Sequence, residues 1–289
     1  MMVVFLLPKY RMETWIIREI ESPKGYVLSE KEIAVTIGKV EEVVEIELVN
    51  YFIKGNIALT KVDKDYPDNK LSGAVFEVYS DINGDGKLDK DDTLLGEMKE
   101  LDGGVYQMSE LRYGKYLVKE TKAPTGFVLD ENVYAVSVEE NGKTYTVENK
   151  AGVGFINAAQ KGSLKIVKTS SDGKVEGFSF RVTGVDYDQT FKTDKNGEIV
   201  IEGLRIGDYT VSEVSDKASA GYILPADKQA TVKADATAIV QMHNEFRDTP
   251  KTGDDFNLGL WVSLAALSVV GAGVLGFVGY KNRKKKKED

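Results

Sequence analysis

Three times along this chain a run of alternating apolar residues ends on a glutamate that shares the parity of the apolar side. The runs are Trp15-Ile16-Ile17-Arg18-Glu19, Tyr116-Leu117-Val118-Lys119-Glu120 and Tyr209-Thr210-Val211-Ser212-Glu213. After each, a further alternating stretch ends on an asparagine: Asn50, Asn157 and Asn244. Before the second and third, Ile57-Ala58-Leu59-Thr60-Lys61 and Leu164-Lys165-Ile166-Val167-Lys168 end on a lysine of the same parity. Residues two apart in a strand point to one face. A lysine, a glutamate and an asparagine are therefore driven into each apolar layer, where a lone charge is costly. Any fold of this chain has to bring the three together.

Such a trio has a specific chemistry. Burial lowers a lysine pKa, leaving a neutral and nucleophilic amine, and raises a carboxyl pKa, leaving an acid that polarises the asparagine carbonyl and carries protons. Attack of the amine on the carboxamide carbon would expel ammonia and leave an amide cross-link. Fixed proximity in a folded core would supply the effective concentration. The simpler alternative is a buried ion pair with the asparagine as spectator.

The expected fold class is all-β, because period-two alternation with frequent Gly, Asp and Asn breaks reads as tandem antiparallel β-sandwiches. Two complete units are expected, over residues 55–160 and 161–248, preceded by the C-terminal half of another over residues 1–54. Met1 to Leu7 is apolar but too short for a signal-peptide core and lacks a basic start. With the missing opening strand, this leads to the expectation of an upstream portion outside this sequence.

The segment Tyr116-x-Val118-x-Glu120-Thr121-Lys122-Ala123-Pro124-x-Gly126-Phe127 resembles the E-box of SpaA-like (collagen-adhesin B-type, prealbumin-like) domains of Gram-positive adhesins and pilins. Phe127 stands where tyrosine is commoner; in the longer third copy Ser219 or Ala220 stands where proline is usual. The resemblance implies Ig-like, prealbumin-like sandwiches with Lys61–Asn157 and Lys168–Asn244 isopeptide bonds, catalysed by Glu120 and Glu213. Glu19 is the corresponding acid of the first half-unit, whose lysine lies outside this chain.

Asp81-Ile82-Asn83-Gly84-Asp85-Gly86-Lys87-Leu88-Asp89 through Asp92 spaces oxygen donors as an EF-hand loop does, with Gly86 at the sharp turn and Lys87 offering its backbone carbonyl. The loop resembles calcium loops of dockerins and of serine-aspartate-repeat adhesins. Calcium held by Asp81, Asn83, Asp85, Lys87, Asp89 and Asp92 is expected as a structural cofactor, the alternative being an acidic hairpin tip.

Residues 256–280 carry no charge, and a helix from Leu258 to Tyr280 would span about 35 Å against a hydrocarbon layer of roughly 30 Å. The basic tail 281–289 follows, which orients it to the cytoplasm. Before the helix stands Thr249-Pro250-Lys251-Thr252-Gly253. Motif, span and tail in this order resemble the LPXTG sorting signal, with Thr249 in the usual leucine position. The resemblance implies that a sortase cuts between Thr252 and Gly253 and joins Thr252 to cell-wall peptidoglycan or a pilus subunit. The membrane would then hold only a precursor, through the C-terminal helix.

Composition excludes several alternatives. There are no cysteines and one histidine, His243, so thiol chemistry and multi-histidine zinc sites are ruled out. The net charge of -8, with the basic residues of 281–289 set apart, argues against nucleic acid. No motif for an enzyme acting on an external substrate is present. The expected function is a wall-anchored structural stalk of a surface adhesin or pilin-like subunit. The alternative is an adhesin module in which a sandwich itself grips a host protein or glycan.

Overall fold

A computed structural model describes residues 14–38 and 44–247 of the 289-residue chain. Every regular element among them is a strand. The sorting motif with Thr252 and Gly253, the apolar run 256–280 and the basic tail lie outside the described residues. Among the described residues no helix is long and apolar enough to cross a membrane.

The described residues open with a hairpin-like pair, β1 (Thr14–Arg18) and β2 (Glu32–Thr36), antiparallel with Trp15 opposite Val35. A first set of strands follows: β3 (Lys54–Asp63), β4 (Val75–Ser80), β5 (Thr93–Glu97), β6 (Lys99–Asp102), β7 (Val105–Arg112), β8 (Gly114–Lys122), β9 (Val133–Val138), β10 (Thr144–Thr146) and β11 (Phe155–Asn157). They form two sheets, β10-β3-β7-β6 with β11 also on β3, and β5-β4-β8-β9. The second set is β12 (Lys161–Ser170), β13 (Ser179–Gly184), β14 (Tyr187–Lys192), β15 (Glu198–Arg205), β16 (Gly207–Val214), β17 (Tyr222–Ile223), β18 (Lys228–Val232) and β19 (Thr237–Phe246). Its sheets, β15-β12-β19-β17 and β14-β13-β16-β18, repeat the plan.

Alternation decides which side chains meet between the sheets. On β3, Ile57, Leu59 and Lys61 are all buried and the residues between them are half-exposed. Ile57 and Leu59 pack with Phe76 and Val78 of β4, Tyr106 of β7, Val118 of β8 and Phe155 of β11. In the second set Leu164 and Ile166 meet Phe180, Val182, Val211, Val240 and Met242.

Parallel pairings, β10 on β3 among them, depart from a purely antiparallel sandwich. The first and last strands of each set run parallel: β11 beside β3, with Phe155 opposite Lys61, and β19 beside β12, with Lys168 opposite Met242. Parallel neighbours at the start and end of a unit let the chain enter at one end and leave at the other, so consecutive units extend end to end. Val153 shares the parity of Phe155 and Asn157 but does not face inward. It stands in a turn and is 36% exposed, so the inward run starts only at Phe155. Gly154, at φ 126°, passes so near the Thr60 carbonyl that a Cβ would lie 2.8 Å from it, which lets so short a strand dock there.

The two sets meet at a polar junction. Arg205, at the end of β15, donates to both carboxylate oxygens of Asp63 at 2.6 and 3.0 Å and to Asp65 at 3.3 Å. Its guanidinium lies 4.8 Å from the Tyr66 ring centroid, and Lys161 pairs with Asp65 at 3.1 Å. Backbone bonds from Gln160 N–H to Gly126 and from Ile206 N–H to Gln160 complete the joint. Burial pushes the Asp63 carboxyl up, but the Arg205 guanidinium and the Asp65 and Tyr66 amides outweigh it and hold it below its ordinary value.

Candidate functional site

Lys61 on β3, Glu120 on β8 and Asn157 on β11 come together in the first set, all but sealed from solvent at 0%, 0% and 3% exposure. Asn157 Nδ2 donates to both Glu120 oxygens at 2.9 Å each. Lys61 Nζ lies 3.6 Å from Glu120 Oε1, donates to the Phe155 carbonyl at 3.1 Å, and sits 4.8 Å from the Phe155 ring centroid. Amine and carboxamide therefore converge on one carboxyl group. Their strands are adjacent and parallel, and Asn157 is offset from Lys61 by two residues in register, which keeps both on one face. Burial lowers the Lys61 pKa to about 8, with the Glu120 carboxyl opposing part of that effect.

A supporting network, which parity alone does not reveal, holds this site. The Asp130 amide donates to Glu120 Oε2 at 2.8 Å. The Asp130 carboxylate accepts from the Tyr134 hydroxyl at 2.6 Å and from Asn149 Nδ2 at 2.8 Å. Asn149 in turn bonds the Ile156 N–H at 2.6 Å and the Ile156 carbonyl at 2.8 Å, fixing the strand residue before Asn157. The sequence signal for the acid's partner is positional: Asp130 follows the E-box glycine and aromatic at a set distance, as Ser29 does in the first copy.

In the second set Lys168 on β12, Glu213 on β16 and Asn244 on β19 are gathered likewise. Asn244 Nδ2 donates to Glu213 Oε1 at 2.6 Å. Lys168 Nζ differs from its counterpart: it donates to the Thr169 carbonyl and lies 4.2 Å from the Phe178 ring centroid. Burial lowers the Lys168 pKa and raises that of Glu213, the latter opposed by the Asn244 hydrogen bond and the Lys168 charge. In the first half-unit Asn50 Nδ2 donates to Glu19 Oε1 at 2.6 Å, so acid and carboxamide meet there too. His243 has the opposite parity to Asn244 and is exposed, bonded to Thr169 Oγ1 and Glu245.

The loop 81–92 lies between β4 and β5. Asp81 accepts the Gly84 and Gly86 amides at 2.7 and 3.1 Å, Asn83 and Asp85 accept the Asp85 and Lys87 amides, and Asp92 accepts those of Ile82 and Asp89. Lys115 from β8 donates to the Gly84 carbonyl at 2.8 Å. The donors are all oxygen, as calcium prefers. The carboxylates are nevertheless turned onto backbone amides, and among the described residues no three Asp, Glu or His side chains are gathered to hold a metal ion.

Two units of one plan, each burying this trio beside paired first and last strands, match a known family profile, that of the SpaA prealbumin-like fold domain, over residues 55–151 and 162–246. The chain belongs to the SpaA domain family. Among solved structures, the Bacillus anthracis TIE protein is similar to these SpaA units at 26% identity and TM-score 0.63, over 81% of this chain and 42% of its own. This chain thus spans less than half of that protein. The minor pilin GBS52 of Streptococcus agalactiae is 17% identical over 70% of this chain and 100% of its own, with TM-score 0.31. The shaft pilin SpaA of Lactobacillus rhamnosus GG is 14% identical over 68% of this chain and 100% of its own, with TM-score 0.32. No curated protein sequence matches the chain.

Proposed function

We propose that this chain is a structural stalk of a Gram-positive surface adhesin or pilin-like subunit, hardened by self-made isopeptide bonds. The observation that carries the reading is the sealed meeting of Lys61 and Asn157 at the Glu120 carboxyl, with Asn244 likewise on Glu213 and Lys168 buried in the same unit. In each unit the neutral amine attacks the asparagine Cγ, and the new C–N bond forms as the bond to Nδ2 breaks. The glutamate side chain relays the amine proton to the departing nitrogen, which leaves as ammonia. No external substrate takes part.

The first and last strands are adjacent and parallel, so tension applied at the two ends of a unit loads that pair in shear. A covalent tie there carries the load past the hydrogen bonds. The proposed route to the surface is export as a single-pass membrane precursor, held by the 256–280 run. A sortase then cuts after Thr252 and transfers the stalk to peptidoglycan or a pilus subunit. Support for that step is the order of motif, apolar run and basic tail in the sequence. Calcium at the 81–92 loop is a subsidiary part of the reading, supported by the spacing of its oxygen donors.

The decisive measurement is the intact mass of the chain, with peptide mapping of each bond. The wild-type chain should lack two ammonias. Glu120→Ala should restore the ammonia at Lys61–Asn157 only, and Glu213→Ala that at Lys168–Asn244 only. Full calculated mass in the wild-type chain would end the proposal.

A further inference from the structure

The three copies of the E-box give their glutamates different partners. Each copy is anchored by an aromatic residue bridged to the residue two beyond the asparagine: Tyr26 to Phe52, Phe127 to Ala159 and Tyr222 to Phe246. Three residues past that aromatic stand Ser29, Asp130 and Pro225. The Ser29 amide donates to Glu19 Oε2 at 2.8 Å, and the Asp130 amide donates to Glu120 Oε2 at 2.8 Å. Proline has no N–H to give. Among the described residues Glu213 Oε2 is buried without a hydrogen-bond partner, whereas Oε1 accepts from Asn244.

The lysine responds in kind. Lys61 is within ion-pair distance of Glu120, but Lys168 turns its amine to the Thr169 carbonyl. An amide N–H stabilises a carboxylate more than a carboxylic acid, so its presence favours the ammonium–carboxylate form of a buried Lys–Glu pair. Its absence favours the amine–acid form, in which the acid proton occupies the oxygen that lacks a donor. The other groups around this site are Asn244 from β19 and Asp216 after β16, which face Glu213, and Asp172 after β12, which acts on Lys168 and accepts the Tyr222 hydroxyl at 2.7 Å. Asp216 carries negative charge and also opposes ionisation of Glu213.

We propose that Pro225 is a positioning residue that keeps Glu213 a neutral acid and Lys168 a neutral amine, poising the last unit in the tautomer that forms the Lys168–Asn244 bond. The inference rests on the cross-linking reading above. The bond-making step is unchanged: Lys168 Nζ joins Asn244 Cγ, the Glu213 carboxyl passes the amine proton to Nδ2, and ammonia leaves. Pro225 acts only on where the proton resides beforehand.

The test uses the full chain made by cell-free translation in detergent, sampled over time, with each cross-linked peptide quantified by mass. Pro225→Ala returns an N–H. It should slow closure of Lys168–Asn244 at neutral pH by about tenfold or more, the factor expected of a charge-assisted hydrogen bond. Closure of Lys61–Asn157 in the same molecules should keep its rate. The slowed site should also show a shifted pH–rate profile, which a loss of packing alone would not produce. Equal rates and profiles in wild type and variant overturn the role of Pro225. Absence of ammonia loss at both wild-type sites overturns the cross-linking reading, and this inference with it. A readout that needs no Pro225 variant is the carboxyl carbon resonance of Glu213 in the bond-blocked Asn244→Ala chain. A neutral-acid position at neutral pH supports the assignment, and a carboxylate position refutes it.

Discussion

Replacing Asn157 by alanine removes the electrophile and leaves Lys61 as a free amine in the core. Two effects add in the same direction at neutral pH. The proposed bond between Lys61 and Asn157 would close a loop of about 100 residues, worth ~4.7 kcal/mol if it acts as a disulfide of that span does. For a unit of this size each kcal/mol moves the melting temperature by about 4–8 °C, so the tie alone accounts for roughly 20–35 °C. The freed lysine adds a pH signature. Its pKa in the fold is about 8 against an ordinary 10.5, because burial disfavours the ammonium. Below pH 8 the amine is charged in both states and the penalty is fully present. Between pH 8 and 10.5 the unfolded chain binds more protons, so stability of the variant rises with pH, by on the order of 3 kcal/mol across the window. In the wild-type chain the proposed bond would turn that nitrogen into a non-titrating amide, so the alkaline rise should be absent. Calorimetry of both chains from pH 6 to 11 separates the transitions of the two units. A variant that melts within about 5 °C of wild type at pH 7 would refute the reasoning. So would an equal alkaline rise in the wild-type chain.

Two further outcomes follow from the same geometry. Arg205→Ala strands Asp63, whose side chain is 3% exposed, and should cost on the order of 3 kcal/mol at the junction. Because the Asp63 pKa is held low in the fold, its contribution is present above the unfolded value near 4 and is lost as pH falls through the folded value. The wild-type chain should therefore lose junction stability in acid, and a variant with the same acid slope would contradict the assignment. Calcium in large excess should raise the melting temperature of the 55–160 unit, by the equivalent of about 2.7 kcal/mol at a hundredfold excess over the dissociation constant, and Asp81→Ala with Asp85→Ala should abolish the rise. An identical melt with calcium and with chelator would remove the ion from the account.

Much of the site was legible because strand parity is local. Lys61, Glu120 and Asn157 each declare an inward face by matching Ile57 and Leu59, Tyr116 and Val118, or Phe155, with no knowledge of what lies opposite. The all-β class followed from the same two-residue period. The role of the arginines is not legible in this way, although Leu111-Arg112-Tyr113-Gly114 and Leu204-Arg205-Ile206-Gly207 are equivalent turns. Each arginine reaches into the preceding unit: Arg112 over the Phe52 ring at 4.1 Å and Arg205 onto Asp63. Each turn is pinned by the tyrosine four residues on, whose hydroxyl donates to the arginine carbonyl. An exposed-looking arginine in a turn gives no hint that another unit will cover it.

By itself the sequence determined that three mutually dependent polar side chains would share a dry face, because alternation fixes direction one residue at a time. Only the tertiary structure decided that the first and last strands run parallel, with a two-residue offset that puts amine and carboxamide at one acid. It alone revealed that one of two similar sites lacks an amide donor. Strand direction, register and hydrogen-bond partner depend on residues far apart in the chain, and those relations exist only once the chain has closed on itself.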